Sequence, residues 1–374
     1  MLIVSKQTRY ETEVSSLELK NNDFISKSQP NNKKLLQREI SRRGLNYNQL
    51  SQSYDSHVQS VNDIVVELKK NNIEYTIVTA TKEGKNDFPE SYLNYDAIIA
   101  AGGDGTFLKA ASEIYTLDVP LIGINTDPNK SKGALCTMHS SKHFDKYLEQ
   151  ILCGDFEWRE HSRLRVQLEQ GSQVDESVNS RDSKWTKLKR VALNEIFFAE
   201  RNVAHPIQHE LIVDQLDESA DVQLSSGILI CTGTGSSAWM ANASKIDTDI
   251  VRQVLNMTRS IDSKSAKCID LIDDTTMDQI ADALSTKTHF DIGSSEIQYF
   301  VREVVSNGLR PPCKNKRGLH KSVTIRSRGW DPTMTLDGIH TYPLPAGQRA
   351  HFDTDPSIAL RTLTFSNSFE NGKG

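Results

Sequence analysis

Cysteine is scarce in this sequence, and the few cysteines form no recognisable pattern. Five occur among 374 residues, they lie far apart, and neither a Cys-x-x-Cys pair nor a histidine cluster at ligand spacing accompanies them. An odd and scattered set argues against a disulfide framework and against a structural zinc site. The lack of both favours a reducing compartment.

Long apolar runs and an excess of positive charge are also missing. No run approaches the ~18 apolar residues of a membrane-spanning helix, so we expect no membrane partner. The 44 Lys and Arg residues are outnumbered by 49 Asp and Glu residues, which gives a formal net charge of −5. Because nucleic-acid binders draw affinity from excess positive charge, we expect no nucleic-acid partner either. Neither a secretory nor a transit segment precedes the first strand, so any targeting segment is expected to have been removed or to lie outside this sequence.

The length suggests about two domains, at roughly 100–200 residues each. In the first third of the chain, short continuous runs of apolar residues, typical of buried strands, alternate with segments whose apolar residues recur at helical spacing. This alternation predicts an α/β domain with a parallel sheet and helices on its faces. The predicted strands are 2–5, 75–78, 96–101 and 120–124, and the predicted helices are 54–70 and 106–115.

From about residue 160, apolar and polar residues alternate in many short runs that are separated by polar residues. This pattern predicts a larger, β-rich domain that is mainly antiparallel and sandwich-like. The predicted domain limits are 1–140 and 141–374, with an exposed polar loop at 171–187 and a helical segment at 238–286.

The most informative feature is the loop Gly102-Gly-Asp-Gly-Thr106, which falls between a buried strand and a helix. Glycines let backbone N–H groups approach phosphate oxygens closely, and the N-terminus of the helix adds positive potential. A carboxylate repels phosphate, so Asp104 is better suited to hold Mg²⁺ or to accept a proton from an attacking hydroxyl. The alternative is an ordinary strand-to-helix turn capped by an Asx motif. The loop is neither a Walker A sequence nor a Rossmann Gly-x-Gly-x-x-Gly, which disfavours P-loop enzymes and dehydrogenases.

The run Ala100-Ala-Gly-Gly-Asp-Gly-Thr-Phe107 resembles the signature of NAD kinases, which 6-phosphofructokinases and diacylglycerol and sphingosine kinases share in looser form. Three further elements follow in the order and spacing of the NAD kinase family. They are Leu121–Pro128 with Gly133–Cys136, then Ala192–Ile196, and then the glycine-rich loop Cys231–Trp239. The resemblance to the NAD kinase family therefore spans most of the chain.

This resemblance implies an ATP:NAD⁺ 2′-phosphotransferase, which phosphorylates the adenosine-ribose 2′-hydroxyl of NAD⁺ to give NADP⁺ in a cleft between the two domains. Asp104 would be the catalytic base. Mg²⁺ would arrive with ATP, because no carboxylate cluster in the sequence suggests a dedicated protein cage. The resemblance assigns substrate and nucleotide binding to Gly103, Gly105, Thr106, Asn125, Asp127, Asn194, Glu195, Thr234, Ser237 and Ala238.

Some positions depart from the common family pattern. Ser225–Gly227 stands where most members have Gly-Asp-Gly, Gly233 replaces proline, and Trp239 replaces tyrosine. Together with Thr8–Glu11 and Arg326–Asp331, these departures resemble the mitochondrial branch of animal NAD kinases. The resemblance thus implies a mitochondrial location, with the cytoplasm as the alternative, and a homodimer, which the long helical segment also indicates.

Other interpretations of the same residues stay open. A lipid kinase of the diacylglycerol or sphingosine kinase type would use the glycine loop on a hydrophobic alcohol, but the sequence shows no apolar or basic membrane-facing surface. A non-catalytic NAD-binding module would keep Asn194 and Glu195 and could dispense with Asp104. Taken alone, the Asn194–Glu195 pair could be a solvated strand end, and Thr232–Ser237 a turn with a serine cap. The basic run at 310–321 could meet phosphates, but a solvated loop is favoured.

Overall fold

The chain divides into two compact units. A computed structural model describes residues 1–18, 30–80, 88–169, 185–214, 222–261, 272–306 and 316–366. The first unit contains Met1–Arg159 together with the described residues from Leu360 onward, and the second contains Glu160–Ala359.

The first unit is built on a four-stranded sheet in the order β2-β1-β3-β4, and all three strand pairs are parallel. Its strands are β1 (Leu2–Lys6), β2 (Thr76–Ala80), β3 (Ile98–Ala101) and β4 (Leu121–Ile124). Its helices are α1 (Arg9–Glu18), α2 (Pro30–Arg42), α3 (Tyr47–Lys70), α4 (Asp104–Ala111) and α5 (Phe144–Cys153). Every residue of β3 and β4 is buried, which is why both strands are continuous apolar runs in the sequence.

Helix α3 packs against this sheet through one apolar stripe. Ile64 and Leu68, one turn apart, are fully buried and share a core cluster with Ile3, Ile99 and Ile122. Each such side chain contributes roughly 1.5–3 kcal/mol when it is fully removed from water. This packing fixes the sheet whose carboxyl edge carries the glycine loop.

The second unit contains two six-stranded sheets in which all the strand pairs with a determined register are antiparallel. One sheet has the order β10 (Val222–Ser225), β9 (Ile207–Val213), β14 (Ser322–Ser327), β17 (Arg349–Thr354), β6 (Leu164–Glu169) and β7 (Trp185–Lys187). The other has the order β13 (Arg317–His320), β12 (Ile297–Arg302), β11 (Gly227–Cys231), β8 (Glu195–Glu200), β15 (Pro332–Leu336) and β16 (His340–Pro343).

Alternate residues of both sheets meet in one core. Val166 and Phe352 from one sheet share a buried cluster with Ile196, Ile230 and Met334 from the other. This two-layer packing is a β-sandwich. The predicted fold class, a parallel α/β region followed by a larger antiparallel β-rich region, is confirmed.

Three helices complete the description of the second unit, and all lie in the segment that the sequence predicts to be helical. They are α6 (Trp239–Ala243), α7 (Thr248–Ile261) and α8 (Asp274–Thr286). The predicted loop at 171–187 lies outside the described residues, except that its last three residues form β7. Trp185 gives this short strand a packing partner, since its ring centroid lies 5.8 Å from that of His351. No helix in the described ranges is long and apolar enough to cross a membrane.

The division into units differs from the predicted boundary after residue 140. Tyr147 and Leu148 of α5 are buried in the core of the first unit, so the chain leaves this unit only at Arg159. It returns at Leu360, where β18 (Leu360–Thr364) pairs with β5 (Glu157–His161) and Leu363 joins the same core. Sequence periodicity predicts strands but not such distant partners.

Candidate functional site

The glycine loop lies at the carboxyl edge of the parallel sheet, directly after β3. Helix α4 begins at Asp104, with Gly103 as its N-cap. A Cβ at Gly102 would lie 2.3 Å from Oγ1 of Thr106, and one at Gly103 would lie 2.7 Å from Oγ of Ser131, so larger residues would displace their neighbours. A Cβ at Gly105 would meet no described atom within 4 Å. The loop is therefore packed tightly on one side and open at Gly105.

The backbone of this loop contains N–H groups that have no partner among the described residues. Among the described residues, the N–H groups of Gly103, Asp104 and Gly105 have no hydrogen-bond partner. The N–H of Thr106 donates to the carbonyl of Gly103 at 2.9 Å, and the Thr106 side chain is buried against Gly102. The N–H groups available to bind phosphate are therefore those of Gly103 to Gly105. The N–H of Thr106 closes the turn and is not available to a phosphate.

The carboxylate of Asp104 is held by a distant backbone group. Its Oδ1 accepts a hydrogen bond from the N–H of Leu135 at 2.8 Å, and no side-chain bond caps α4. An Asx-capped turn would need a local N–H partner, so this contact contradicts that alternative. Oδ2 has no hydrogen-bond partner among the described residues, and the residue is half-buried. One oxygen thus fixes the carboxylate while the other is free to accept a proton.

Asn125 and Asp127, both predicted to bind nucleotide, are engaged within the protein. Asn125 is 1% exposed, its Nδ2 donates to the carbonyl of Ser131 at 2.8 Å, and its Oδ1 accepts from the N–H of Asp127 at 3.1 Å. The carboxylate of Asp127 accepts a hydrogen bond from the hydroxyl of Ser53. The side chain of Asn125 therefore shapes the loop after β4 with one N–H group and with its carbonyl oxygen.

In the second unit, Asn194 and Glu195 carry buried polar atoms that lack partners. Asn194 is 7% exposed, and β8 begins only at Glu195, so the two side chains are not restricted to opposite faces of one strand. Oδ1 of Asn194 and Oε2 of Glu195 are buried and have no hydrogen-bond partner among the described residues. This burial contradicts a solvated strand end. Because buried polar groups are normally paired, two adjacent unpaired oxygens indicate a place for ligand donors.

Asp337 holds this pair in place, and sequence reasoning missed it. Its buried carboxylate accepts hydrogen bonds from the N–H groups of Leu193, Asn194 and Glu195 at 2.7, 2.8 and 3.0 Å. Asp337 and Gly338 have φ values of 49° and 67° and form the tight turn between β15 and β16. An Asp-Gly pair signals such a hairpin turn, but nothing in the sequence indicates where its carboxylate reaches.

The Glu195 carboxyl titrates well above the usual range for glutamate. Burial, and secondarily the nearby charge of Asp337, raise the pKa of Glu195 from 4.5 to about 8. Burial likewise raises the pKa of Asp337 to about 6, against the opposing effect of its three backbone donors. Glu195 is therefore mostly a neutral carboxylic acid at pH 7, which can both donate and accept a hydrogen bond.

The glycine-rich loop Cys231–Trp239 packs against the backbone of Asn194. A Cβ at Gly235 would lie 2.0 Å from the carbonyl oxygen of Asn194, so only glycine fits there. Thr234 is 5% exposed, and its hydroxyl lies 2.9 Å from Nδ1 of His161. Ser237 is exposed and donates to the carbonyl of Thr234, and no side chain caps α6. The alternative of a serine-capped turn is therefore wrong.

The second unit thus brings together Asn194, Glu195, Thr234, Ser237 and Ala238, and the first brings together the glycine loop, Asp104, Asn125 and Asp127. Of the predicted basic run, 310–315 lies outside the described residues. Arg317 and His320 lie in β13, and Nδ1 of His320 is 2.8 Å from the Asp214 carboxylate.

The chain is similar to known NAD kinases. The family model of the ATP-NAD kinase N-terminal domain matches residues 20–156. The mitochondrial NAD kinase 2 of Xenopus tropicalis is 28% identical over 403 residues, which cover 96% of this chain and 89% of that protein. The mitochondrial NAD kinase 2 of Homo sapiens is 28% identical over 389 residues, which cover 97% of this chain and 83% of that protein.

One solved structure is also similar to this chain in its fold. A crystal structure of an NAD kinase from Archaeoglobus fulgidus in complex with ATP matches with a TM-score of 0.51 and 16% identity, over 82% of this chain and 90% of that one. This match shows a shared fold. The predicted resemblance to NAD kinases is confirmed: the chain is similar to mitochondrial NAD kinases over nearly its whole length, and residues 20–156 match the model of the ATP-NAD kinase N-terminal domain.

Proposed function

We propose that this protein is an ATP:NAD⁺ 2′-phosphotransferase. The 2′-hydroxyl oxygen of the adenosine ribose attacks the γ-phosphorus of ATP, the bond from this phosphorus to the β,γ-bridging oxygen breaks, and ADP leaves. Asp104 takes the hydroxyl proton on its free Oδ2. The observation that carries this proposal is the Asp104 carboxylate, fixed by the Leu135 N–H on one oxygen and free on the other, beside three unpaired backbone N–H groups.

Binding of the acceptor is assigned to the second unit. The unpaired Oδ1 of Asn194 and the neutral carboxyl of Glu195 would meet ribose hydroxyls, which can both donate and accept hydrogen bonds. The names of the relatives support this choice of acceptor over a lipid alcohol. That one dinucleotide lies in a cleft between the two units stays a prediction.

We propose that Mg²⁺ enters the site while it is bound to the phosphates of ATP. In the ranges that the structure describes, no group of three or more His, Cys, Asp or Glu side chains is placed to hold a metal ion. We therefore assign no protein ligands to Mg²⁺. Its chemical contribution would be to neutralise charge on the transferring phosphoryl group.

The decisive test incubates the purified protein with NAD⁺, ATP and Mg²⁺ and detects NADP⁺ with an NADP-specific dehydrogenase. We expect NADP⁺ to accumulate and its formation to stop when Mg²⁺ is chelated with EDTA. Sphingosine and diacylglycerol serve as competing acceptors. Phosphorylation of either lipid without NADP⁺ formation would establish the lipid-kinase alternative, and binding of NAD⁺ without any turnover would establish a binding module.

A homodimer in the mitochondrion is the proposed state of the protein. Helix α7 exposes Ile250, Val254, Met257 and Ile261 on one face, and their side chains are 49%, 56%, 64% and 86% exposed. An apolar stripe of this kind is typical of a helix that packs against a partner. Light scattering should give about twice the 42.0 kDa chain mass, and a monomer at micromolar concentration would contradict it. The compartment rests on the names of the relatives and is checked by fractionation of cells that express the tagged protein.

A further inference from the structure

Helix α3 directs a polar stripe at the loop after β4 (125–131). Ser53, His57 and Ser60 are spaced four and three residues apart, so their side chains lie on one face of the helix. Ser53 donates to the carboxylate of Asp127, and Ser60 donates to a backbone carbonyl of the same loop at 3.4 Å. His57 and Ser60 are buried. This stripe therefore faces the interior of the first unit, unlike the polar side of an ordinary surface helix.

His57 connects the ends of two strands of the parallel sheet. Its Nε2 lies 3.0 Å from the hydroxyl oxygen of Ser5 in β1, and its Nδ1 lies 2.9 Å from the hydroxyl oxygen of Thr126, two residues after β4. In the sheet, β3 lies between β1 and β4. The glycine loop with Asp104 follows directly after β3. The imidazole therefore links the two strands that flank the strand leading to the proposed base.

The His57 ring is buried and neutral. The residue is 4% exposed, and burial together with the charge of Lys6 lowers the pKa of His57 from 6.5 to about 4. A neutral imidazole has one N–H donor and one acceptor nitrogen, and a hydroxyl group can take either role. The two hydroxyl partners thus satisfy both ring nitrogens. They fix the direction of the ring as well as its place, and the ring adds no charge to the site.

The loop that contains Thr126 folds back on itself. Thr126 is fully buried, and its neighbour Asn125 donates to the carbonyl of Ser131 at 2.8 Å. A Cβ at Gly133 would lie 2.7 Å from Nδ2 of Asn125, so the chain beyond the loop packs against the same side chain. A displacement of Thr126 would therefore also move residues 131–133.

The chain beyond this loop leads directly to the proposed base. Two residues after Gly133, the N–H of Leu135 donates to Oδ1 of Asp104 at 2.8 Å. This hydrogen bond sets the direction of the carboxylate, whose Oδ2 has no partner among the described residues. A continuous series of contacts thus runs from the His57 ring through the loop after β4 to Asp104.

We propose that His57 is a positioning residue for phosphoryl transfer: it anchors the loop after β4, and through Leu135 this loop orients the carboxylate of Asp104. The inference rests on the proposed kinase function and adds a residue that lies outside the four sequence motifs. His57 touches neither substrate in this role. Its effect on the rate comes from geometry, since a misplacement of about 1 Å caused far from the chemistry can cost about 100-fold.

The first test removes the two ring contacts. His57→Phe keeps a ring but lacks both nitrogens, and we expect it to lower kcat about 10- to 100-fold and to leave KM for NAD⁺ within about twofold. His57→Gln should recover part of kcat, because an amide can both donate and accept. His205→Phe, at an exposed histidine, is the matched control and should match the wild type. Circular dichroism and thermal melting show whether each variant is folded.

A second background separates positioning from a loss of active protein. In Asp104→Asn, which lacks the base, the addition of His57→Phe should change the residual kcat less than about twofold. A change that only reduced the amount of active protein would lower kcat by the same factor in both backgrounds. Thr126→Val removes the partner hydroxyl and should reproduce the loss in kcat, so it replaces His57→Phe if that variant does not fold. Equal losses in the two backgrounds, or a wild-type kcat in either folded variant, would overturn the inference.

Amide hydrogen exchange tests the anchoring without turnover. His57→Phe should raise the exchange rate of a peptide covering 125–136 at least about tenfold, while a peptide covering 222–231 in the second unit should exchange at the wild-type rate. If the wild type made no NADP⁺ but this difference appeared, the kinase function would be wrong and the anchoring of the loop by His57 would stand. Unchanged exchange over 125–136 in the folded variant would show that His57 does not anchor the loop.

Discussion

Asp104→Asn should lower kcat by roughly 10²- to 10⁴-fold and leave KM for NAD⁺ and ATP within a few-fold of the wild type. Asparagine keeps an oxygen that can accept the hydrogen bond from the N–H of Leu135, so the loop should keep its shape. It cannot accept a proton from the attacking hydroxyl. Steady-state kinetics with NAD⁺ and ATP varied in turn measure both constants.

The matched control for this variant is Asp145→Asn, at an exposed aspartate in the first turn of α5 in the same unit. Its kinetics should equal those of the wild type, because surface substitutions away from a site usually have small effects. If a folded Asp104→Asn protein kept the wild-type kcat, Asp104 would not be the base. A rise in KM for ATP at constant kcat would instead make it a binding residue.

Glu195→Ala should raise KM for NAD⁺ about 10- to 100-fold, whereas Glu195→Gln should change it only a few-fold at pH 7. Alanine removes both hydrogen-bonding atoms. Glutamine reproduces the donor and the acceptor of a neutral carboxylic acid, which is the form that a pKa of about 8 favours. Steady-state kinetics at pH 7 distinguish the two variants, and equal losses in both would show that a charged carboxylate binds the acceptor.

The unfolding free energies of the wild type and of Glu195→Gln test the raised pKa of Glu195 directly. The folded-state pKa of Glu195, about 8, lies above the 4.5 of a free glutamate, so its contribution to stability is complete below about pH 4.5 and is lost as the pH rises to about 8. Glu195→Gln does not titrate. Its unfolding free energy should therefore be close to that of the wild type near pH 4.5 and exceed it by up to about 5 kcal/mol at pH 8.5. Denaturant unfolding at both pH values measures this, and a constant difference would contradict the raised pKa.

The sequence predicts the buried parts of this fold better than its edges. Strands β3 and β4 are buried on all sides, so their apolar runs are unambiguous. The edge strands β13 and β16 alternate between half-buried and exposed residues, and they resemble solvated loops in the sequence. The pairing of β18 with β5 joins segments about 200 residues apart, and no local pattern encodes such a choice of partner.

Some residues of the candidate site can be predicted from local sequence motifs, and others become visible only through contacts that are distant in the chain. Asp104 and Glu195 stand out in the sequence because they lie in recognisable motifs. Asp337 does not, since it acts through backbone N–H groups far along the chain. Asn125 lies in a motif, but its hydrogen bonds within the loop after β4 are visible only from the positions of its neighbours.

The return of the chain to the first unit at Leu360 affects how the protein can be made. On the ribosome, Glu157–Arg159 of β5 emerge about 200 residues before β18, so the first unit cannot be complete until β18 has also been synthesised. The second unit is one uninterrupted segment and can fold before β18 has emerged. Expression of the second unit alone therefore needs only residues 160–359. Expression of the first needs 1–159 joined to the residues from Leu360 onward, and a simple truncation at 159 would leave its β5 segment unpaired and prone to aggregation.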